Sequence, residues 1–202
     1  MNELDAHLAD RVFAERKGSI DEFALRQIGE RLLTAMGYDV DSPALRDTPA
    51  RWARWWLEFH QGQDANLDST FDVKTSGQLV VVSGITVWSI CEHHLLPFSM
   101  NITIGYQPGG TILGLSKFAR ISIETTRRLQ VQERIVEEIA DAISAATGTK
   151  DVCVIGRGRH LCMEARGVRS QARTDTVIAR GIFEADQGKR ADVIQLSGLM
   201  SA

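Results

Sequence analysis

No run of apolar residues in this chain reaches the roughly eighteen that a membrane-spanning helix needs. Residues 1–18 are rich in charge and hold no apolar core, so we expect no signal peptide. Positive charge is not in excess either, since 23 Lys and Arg face 26 Asp and Glu for a net charge of −3. Bulk electrostatics therefore give no reason to expect nucleic acid or an anionic membrane as a partner.

Cysteine is scarce, with three in 202 residues. Three cysteines cannot all pair as disulfides, and two of them, Cys91 and Cys162, lie beside histidines at spacings typical of metal ligands. A reducing cytoplasm therefore fits this chain better than secretion does. The third, Cys153, sits inside an apolar strand-like run and is better explained as a small buried hydrophobe than as a ligand.

The histidines beside the two cysteines indicate a zinc site. A Cys-Glu-His-His run occupies 91–94, and His160 lies two residues before Cys162, on the same face if this segment is extended. Zinc takes thiolate sulfur and imidazole nitrogen, and a catalytic zinc keeps one position for water. In that case His93 and His160 stand beside the water as acid and base. A closed structural site with one of them as fourth ligand is equally compatible with the spacing.

Helical periodicity fills the first part of the chain. We expect helices at residues 2–16, 20–36 and 43–60. Gly37 ends the second helix as a C-cap residue. The third begins either at Ser42-Pro43 or at Asp47-Thr48-Pro49.

From residue 77 the pattern becomes β-rich. We expect strands, with Ser83-Gly84 as a turn between the first two, at 78–82, 85–90, 100–106, 151–155 and 176–183. Residues 116–147 predict one long helix or two consecutive ones, ending at Gly148. This order predicts an α+β fold with an antiparallel sheet. The loop-like stretch 61–76 places a domain boundary between 1–62 and 63–202.

Two basic clusters indicate an anionic small molecule. In the first, Gly114 precedes a helix whose first turns carry Ser116, Lys117 and Arg120, where exposed N–H groups also bind anions. The second surrounds Cys162 and comprises Arg157, Arg159, Arg166, Arg169, Arg173 and Arg180. Each arginine taken alone is better explained by solvent exposure or by pairing with Asp or Glu. The chain has no G-x-x-x-x-G-K-[ST] loop, so a nucleoside triphosphate is not held in P-loop fashion.

Residues 127–134 (RRLQVQER) form a charged, helix-compatible stretch. A glutamate flanked by amides can bind a guanine edge, because a carboxylate accepts from both N1–H and the 2-amino group. The spacing alone does not require this role.

Five segments in order together resemble the GTP cyclohydrolase I family: DTPARWA at 47–53, CEHHLLPF at 91–98, GLSKFAR at 114–120, RRLQVQER at 127–134 and HLCMEARGV at 160–168. The similarity covers about residues 22–195. It implies a tunnelling fold, which is an antiparallel sheet backed by two helices. This fold forms the catalytic domain, residues 63–202, and an N-terminal helical arm, residues 1–62, precedes it. The similarity also implies a homo-oligomer, a decamer of two stacked five-membered rings, with sites where subunits meet.

The resemblance implies that the protein opens the guanine imidazole ring of GTP, releasing formate and giving 7,8-dihydroneopterin triphosphate. By motif position it implies three Zn²⁺ ligands, Cys91, His94 and Cys162, and two proton-transfer residues, His93 and His160. It implies substrate contacts from Gln132 and Glu133 to the guanine, and from Ser116, Lys117, Arg120, Arg166 and Arg51 on the triphosphate side.

The chain departs from the family pattern at loops beside the site. It has Met100 where the family usually has glycine, Gly156-Arg157-Gly158-Arg159 where an acidic–small pair is common, and Ala172 where serine is common. Two alternatives remain: another tunnelling-fold purine or pterin enzyme, or a zinc-stabilised nucleotide-binding assembly protein without turnover. The sequence does not choose between folate, a pterin cofactor and deazaguanine nucleosides as the destination of the product.

Overall fold

The computed structural model of the chain describes residues 19–61, 70–72 and 77–199. The fold is mixed α+β, as the order of elements predicts. Residues 19–61 form one compact unit, and the remaining described residues form a second. The helix expected at 2–16 lies outside the described residues. The division into 1–62 and 63–202 stays a prediction.

The first unit is a pair of helices, α1 (Glu22–Ala35) and α2 (Thr48–His60). Asp21 caps α1 by accepting a 2.9 Å hydrogen bond from the Ala24 N–H. At the other end Gly37 adopts a left-handed φ of 82°, and Tyr38 N–H donates back to Leu33 O at 3.0 Å. This arrangement is a Schellman motif, so the predicted end of the helix is confirmed.

The second helix begins at the later of its two predicted starts. Its first residue is Thr48, with Pro49 in the first turn, where proline lacks an N–H that the helix would not use. Residues 43–47 form turns instead of helix. Gly29 of α1 allows close packing, because a Cβ there would lie 3.2 Å from Pro49 Cα.

The second unit is built around a five-stranded sheet. In the described residues of this unit the strands are β1 (Thr70–Asp72), β2 (Val80–Cys91), β3 (Pro97–Tyr106), β4 (Thr111–Leu113), β5 (Leu129–Gln130), β6 (Val152–His160) and β7 (Thr174–Ala179). Its helices are α3 (Leu115–Thr126), α4 (Gln132–Thr147), α5 (Leu161–Glu164), α6 (Ile182–Ala185) and α7 (Gln187–Leu199). The order in the sheet is β5-β2-β3-β6-β7, antiparallel except for the β2–β5 pair, and β1 pairs separately with β4.

Two strand predictions were wrong in detail. The turn expected at Ser83-Gly84 is instead a bulge inside one strand, where the pairing register with β3 shifts between Val82 and Ile85. Gly84 absorbs the irregularity with a φ of 78°. The last strand ends at Ala179 instead of continuing to residue 183, because Gly181 turns the chain with a φ of 59°.

Helices cover both faces of the sheet. Residues 116–147 form two helices separated by β5, and α3 and α4 bury Phe118, Ile121, Ile135 and Ile139 against the side chains of β3. On the opposite face Val193 of α7 lies so close to Gly105 that a Cβ there would be 2.7 Å from Val193 Cγ2. None of the helices in the described part of the chain combines the length and apolar character that a membrane span requires.

Cys153 lies on the face covered by α7 and is fully buried among Ile155, Phe183 and Val193. Burial raises the pKa of its thiol to about 11, because the thiolate loses its hydration. The prediction that Cys153 is a buried hydrophobe is confirmed.

Candidate metal centre and adjoining pocket

The sheet brings Cys91, His94 and Cys162 together. Strands β2 and β6 run in the same direction on either side of β3, so their carboxyl ends meet at one end of the sheet. Cys91 is the last residue of β2, and Cys162 follows the end of β6 by two residues. The sulfur and ring-nitrogen atoms of the three residues all lie within 4.8 Å of one another.

A tight turn folds His94 back over Cys91. The N–H groups of His94 and Leu95 both donate to Cys91 O, at 3.3 and 2.9 Å, and Leu95 takes a left-handed φ of 52°. Cys91 Sγ consequently lies 3.6 Å from His94 Nδ1. A left-handed leucine is uncommon, so this turn holds strain that the flanking strands maintain.

The extended geometry predicted around Cys162 was wrong. Strand β6 ends at His160, and Leu161–Glu164 forms a single helical turn closed by Ala165 N–H donating to Leu161 O at 2.9 Å. His160 and Cys162 are therefore not placed by strand alternation. The helical turn carries Cys162 toward Cys91, and this neighbour adds to the effect of burial in raising the pKa of the Cys162 thiol.

Two thiols and an imidazole are soft and borderline donors that suit zinc. Among residues 19–61, 70–72 and 77–199 this is the one group of three or more potential ligand side chains that converge. The donor set supplies three ligands and leaves room for a fourth from solvent or substrate.

A pocket of about 270 Å³ adjoins the three ligand residues. Besides them it is lined by His93, Phe98, Gln130, Val131, Gln132, Glu133, His160, Met163 and Thr174. Glu133 is exposed in the first turn of α4, and His93 is exposed on the ligand turn. The pocket thus unites the proposed metal ligands with both histidines and with the Gln132–Glu133 pair.

His160 is held from two sides. Its ring stacks on Phe98, its cross-strand neighbour, with centroids 4.6 Å apart and 12° between the planes. Its Nε2 lies 2.8 Å from Gln132 Oε1. Burial lowers the pKa of His160, and the negative charges of Glu133 and Glu164 partly oppose that shift.

The Gln132 side chain points into the sheet instead of toward open solvent. It is 2% exposed, and its amide nitrogen lies 3.0 Å from Gly156 O, 2.9 Å from Thr174 O and 2.9 Å from Thr176 Oγ1. All its polar atoms are therefore occupied within the chain.

A network of charged side chains supports the ligand turn from behind, and the sequence analysis missed it. Arg134 binds Glu92 through two hydrogen bonds of 2.8 and 3.2 Å and also donates to Gln130 at 3.2 Å. Gln130 in turn donates to Glu138 at 2.8 Å, and Arg128 pairs with the same carboxylate at 2.5 Å. The hydrogen bond from Arg134 lowers the pKa of Glu92. The four-residue spacing of 130, 134 and 138 was the available signal.

The cationic residues are not gathered at this pocket. Ser116, Lys117 and Arg120 lie on the first turns of α3 and are not among the lining residues; Lys117 is 5% exposed. Arg166 is exposed beyond α5, near enough for its positive charge to oppose the rise in the pKa of Cys162 that burial and Cys91 cause. Arg51 belongs to the helical unit, where it donates to Thr48 Oγ1 at 3.0 Å.

The family model and the named relatives of this chain agree on one family. The family model described as GTP cyclohydrolase I matches residues 25–198. Relatives named GTP cyclohydrolase 1 include that of Hyperthermus butylicus, 44% identical over 88% of this chain and 91% of the relative. The relative from Deinococcus radiodurans is 41% identical over 83% of this chain and 80% of its own length. The relative from Mycobacterium ulcerans is 39% identical over 97% of this chain and 98% of its own length. Among solved structures, the apo form of the archaeosine synthase QueF-Like aligns with 52% of this chain and 94% of its own chain. The sequence identity is 17% and the TM-score is 0.44, so this likeness carries no argument.

Proposed function

This chain belongs to the GTP cyclohydrolase I family of enzymes, and from that premise we propose that its pocket hydrolyses the guanine imidazole ring of GTP. The products are formate and 7,8-dihydroneopterin triphosphate. The observation that carries the proposal is the convergence of Cys91, His94 and Cys162 beside a pocket bordered by two histidines and a glutamate. We place the enzyme in the cytoplasm, where thiolate ligands stay reduced.

Zinc is the metal that suits this donor set, held by Cys91, His94 and Cys162. When bound, it supplies a Lewis acid that makes water a nucleophile at neutral pH. The residues of the chain manage the protons. His93 and His160 border the pocket, and an imidazole ring can both give and take a proton, so each is suited to proton transfer at the purine or the ribose.

Glu133 is the residue that we propose recognises the guanine base. Its carboxylate stands at the pocket in the first turn of α4, where it accepts from guanine N1–H and the 2-amino group. Adenine offers an acceptor at N1 and no 2-amino group, so the same carboxylate repels it.

The triphosphate contacts are proposed to come partly from another subunit. Ser116, Lys117 and Arg120 surround the N-terminal end of α3, an anion-binding arrangement, yet they do not line the pocket of their own chain. Arg166 and Arg51 complete the proposed set. We therefore propose a homo-oligomer, a decamer of stacked five-membered rings of tunnelling-fold subunits, in which each pocket is completed by a neighbour.

The test combines absorbance with metal analysis. The purified protein incubated with GTP should change its ultraviolet absorbance as the purine becomes a pterin, and it should contain one zinc per chain. Cys91→Ser should lose most of the zinc. His93→Ala and His160→Ala should keep zinc and GTP binding but lose roughly a hundredfold or more in turnover.

Each arm has a result that counts against the proposal. GTP binding with no change of chromophore in the zinc-loaded protein would favour a non-catalytic nucleotide-binding role. Full zinc in Cys91→Ser together with loss of zinc in His93→Ala would place the ligands elsewhere. Near-normal turnover in both histidine variants would remove them from proton transfer.

A further inference from the structure

Four residues on two paired strands surround the Gln132 side chain. Gly156 and Gly158 on β6 and Thr174 and Thr176 on β7 are register partners, 158 with 174 and 156 with 176. Gln132, the first residue of α4, inserts its amide among them. The absence of a side chain at Gly158 leaves room for the amide, whereas Gly156 contributes its carbonyl oxygen.

The surroundings determine which way the amide points. The oxygens of Gly156 and Thr174 are backbone carbonyls, which only accept hydrogen bonds, so the two N–H groups of the amide must face them. The reverse orientation would set an amide oxygen against two carbonyl oxygens. Gln132 Oε1 is thereby directed at His160 Nε2, 2.8 Å away.

An amide oxygen also only accepts, so the ring nitrogen facing it must carry a hydrogen. We propose that Gln132 is a positioning residue that fixes neutral His160 as the Nε2–H tautomer, with the lone pair on Nδ1. Phe98 holds the plane of the ring by stacking on it.

Gly158 is the residue that permits this contact. A Cβ built there would overlap Gln132 Oε1 and lie 2.9 Å from His160 Nε2. Its backbone does not have a positive φ, so alanine is acceptable for the backbone itself. The Gln132 side chain can swing aside, so Gly158→Ala should fold while breaking the Gln132–His160 hydrogen bond without removing any polar atom.

The tautomer is tested directly by ¹⁵N NMR of histidine-labelled, zinc-loaded protein at about pH 8, above the ordinary histidine pKa. The His160 signals are assigned by their loss in His160→Ala. The wild type should show a protonated Nε2 and an unprotonated Nδ1, and Gly158→Ala and Gln132→Leu should show a mixture of tautomers. A proton on Nδ1 in the wild type, or an unchanged tautomer in Gln132→Leu, would overturn the proposal.

The catalytic consequence rests on the proposed function and is measured separately. Gln132→Leu and Gly158→Ala should lower kcat for GTP by roughly ten- to a hundredfold with KM changed by less than about threefold, because a misdirected proton-transfer group affects chemistry more than binding. Gly109→Ala is the matched control, since a Cβ there meets nothing within 4 Å. A raised KM with unchanged kcat would make Gln132 a base-binding residue instead. A wild type without turnover would refute the proposed function, while the NMR result would still decide the tautomer.

Discussion

The Gly156→Ala substitution tests how tightly the sheet packs beneath the pocket. A Cβ at position 156 would lie 2.8 Å from Val136 Cγ1 and would overlap Met100 Cε. Both neighbours are core residues, each 2% exposed. Met100 can change rotamer only into space that other core side chains fill, and valine is stiff at χ1.

Two effects of opposite sign determine how much Gly156→Ala changes the free energy of unfolding. Overpacking a dense core costs about 1–3 kcal/mol. Replacing glycine by alanine where the backbone φ is not positive recovers about 0.4–1 kcal/mol by restricting the unfolded chain. The overpacking term wins, and we expect Gly156→Ala to lower the free energy of unfolding by about 1–2 kcal/mol.

A double-mutant cycle with Met100→Ala isolates the contact. Met100→Ala alone should cost about 2–5 kcal/mol through the cavity it leaves. In the double variant the new methyl group at position 156 enters that cavity, so the combined loss should be smaller than the sum by about 1–2 kcal/mol. Urea unfolding at one protein concentration measures all four proteins, with Gly109→Ala as the neutral control. Additive effects, or a Gly156→Ala protein as stable as the wild type, would refute the packing argument.

Three further predictions concern the cysteines and the base. Burial raises the pKa of Cys153 from 9.0 to about 11, so the unfolded chain loses this proton at a lower pH than the folded protein does. The free energy of unfolding should therefore fall by about 2–3 kcal/mol as the pH rises from 9 to 11. In Cys153→Ala this dependence on pH should be lost. Metal-free protein exposed to dissolved oxygen should form a Cys91–Cys162 disulfide, since their sulfurs lie within 4.8 Å, and peptide mapping that found Cys153 in the bond would contradict it. Glu133→Ala should weaken GTP binding roughly ten- to a hundredfold, the worth of a charged hydrogen bond, and unchanged affinity by calorimetry would exclude base recognition there.

The sequence predicted best those features that depend on a few neighbouring residues. The end of α1 follows from Gly37, the only residue type that takes a left-handed turn without strain. The break between α3 and α4 was one of two alternatives, and Cys153 was assigned to the core from its apolar neighbours alone. The candidate metal ligands were named from residue type and motif; the structure brings their side chains together, and metal binding by them stays a prediction.

Features that depend on distant residues were not predictable. The bulge at Ser83-Gly84 has the composition of a turn, and only the long pairing of β2 with β3 on both sides of it makes one strand. The two-residue strand β5 exists because Leu129 and Gln130 pair in parallel with Ile90 and Cys91. No local periodicity marks so short a segment.

Two of the three departures of this chain from its family pattern, Met100 and the 156–159 segment, lie on paired strands. Met100 lies opposite Gly158 in the β3–β6 register, and its Cε fills the space over Gly156. The two glycines of β6 therefore serve different partners. Gly156 makes room for the long side chain at position 100, whereas Gly158 makes room for the contact between Gln132 and His160. A change at position 100 should alter stability first, and a change at 158 should alter turnover first.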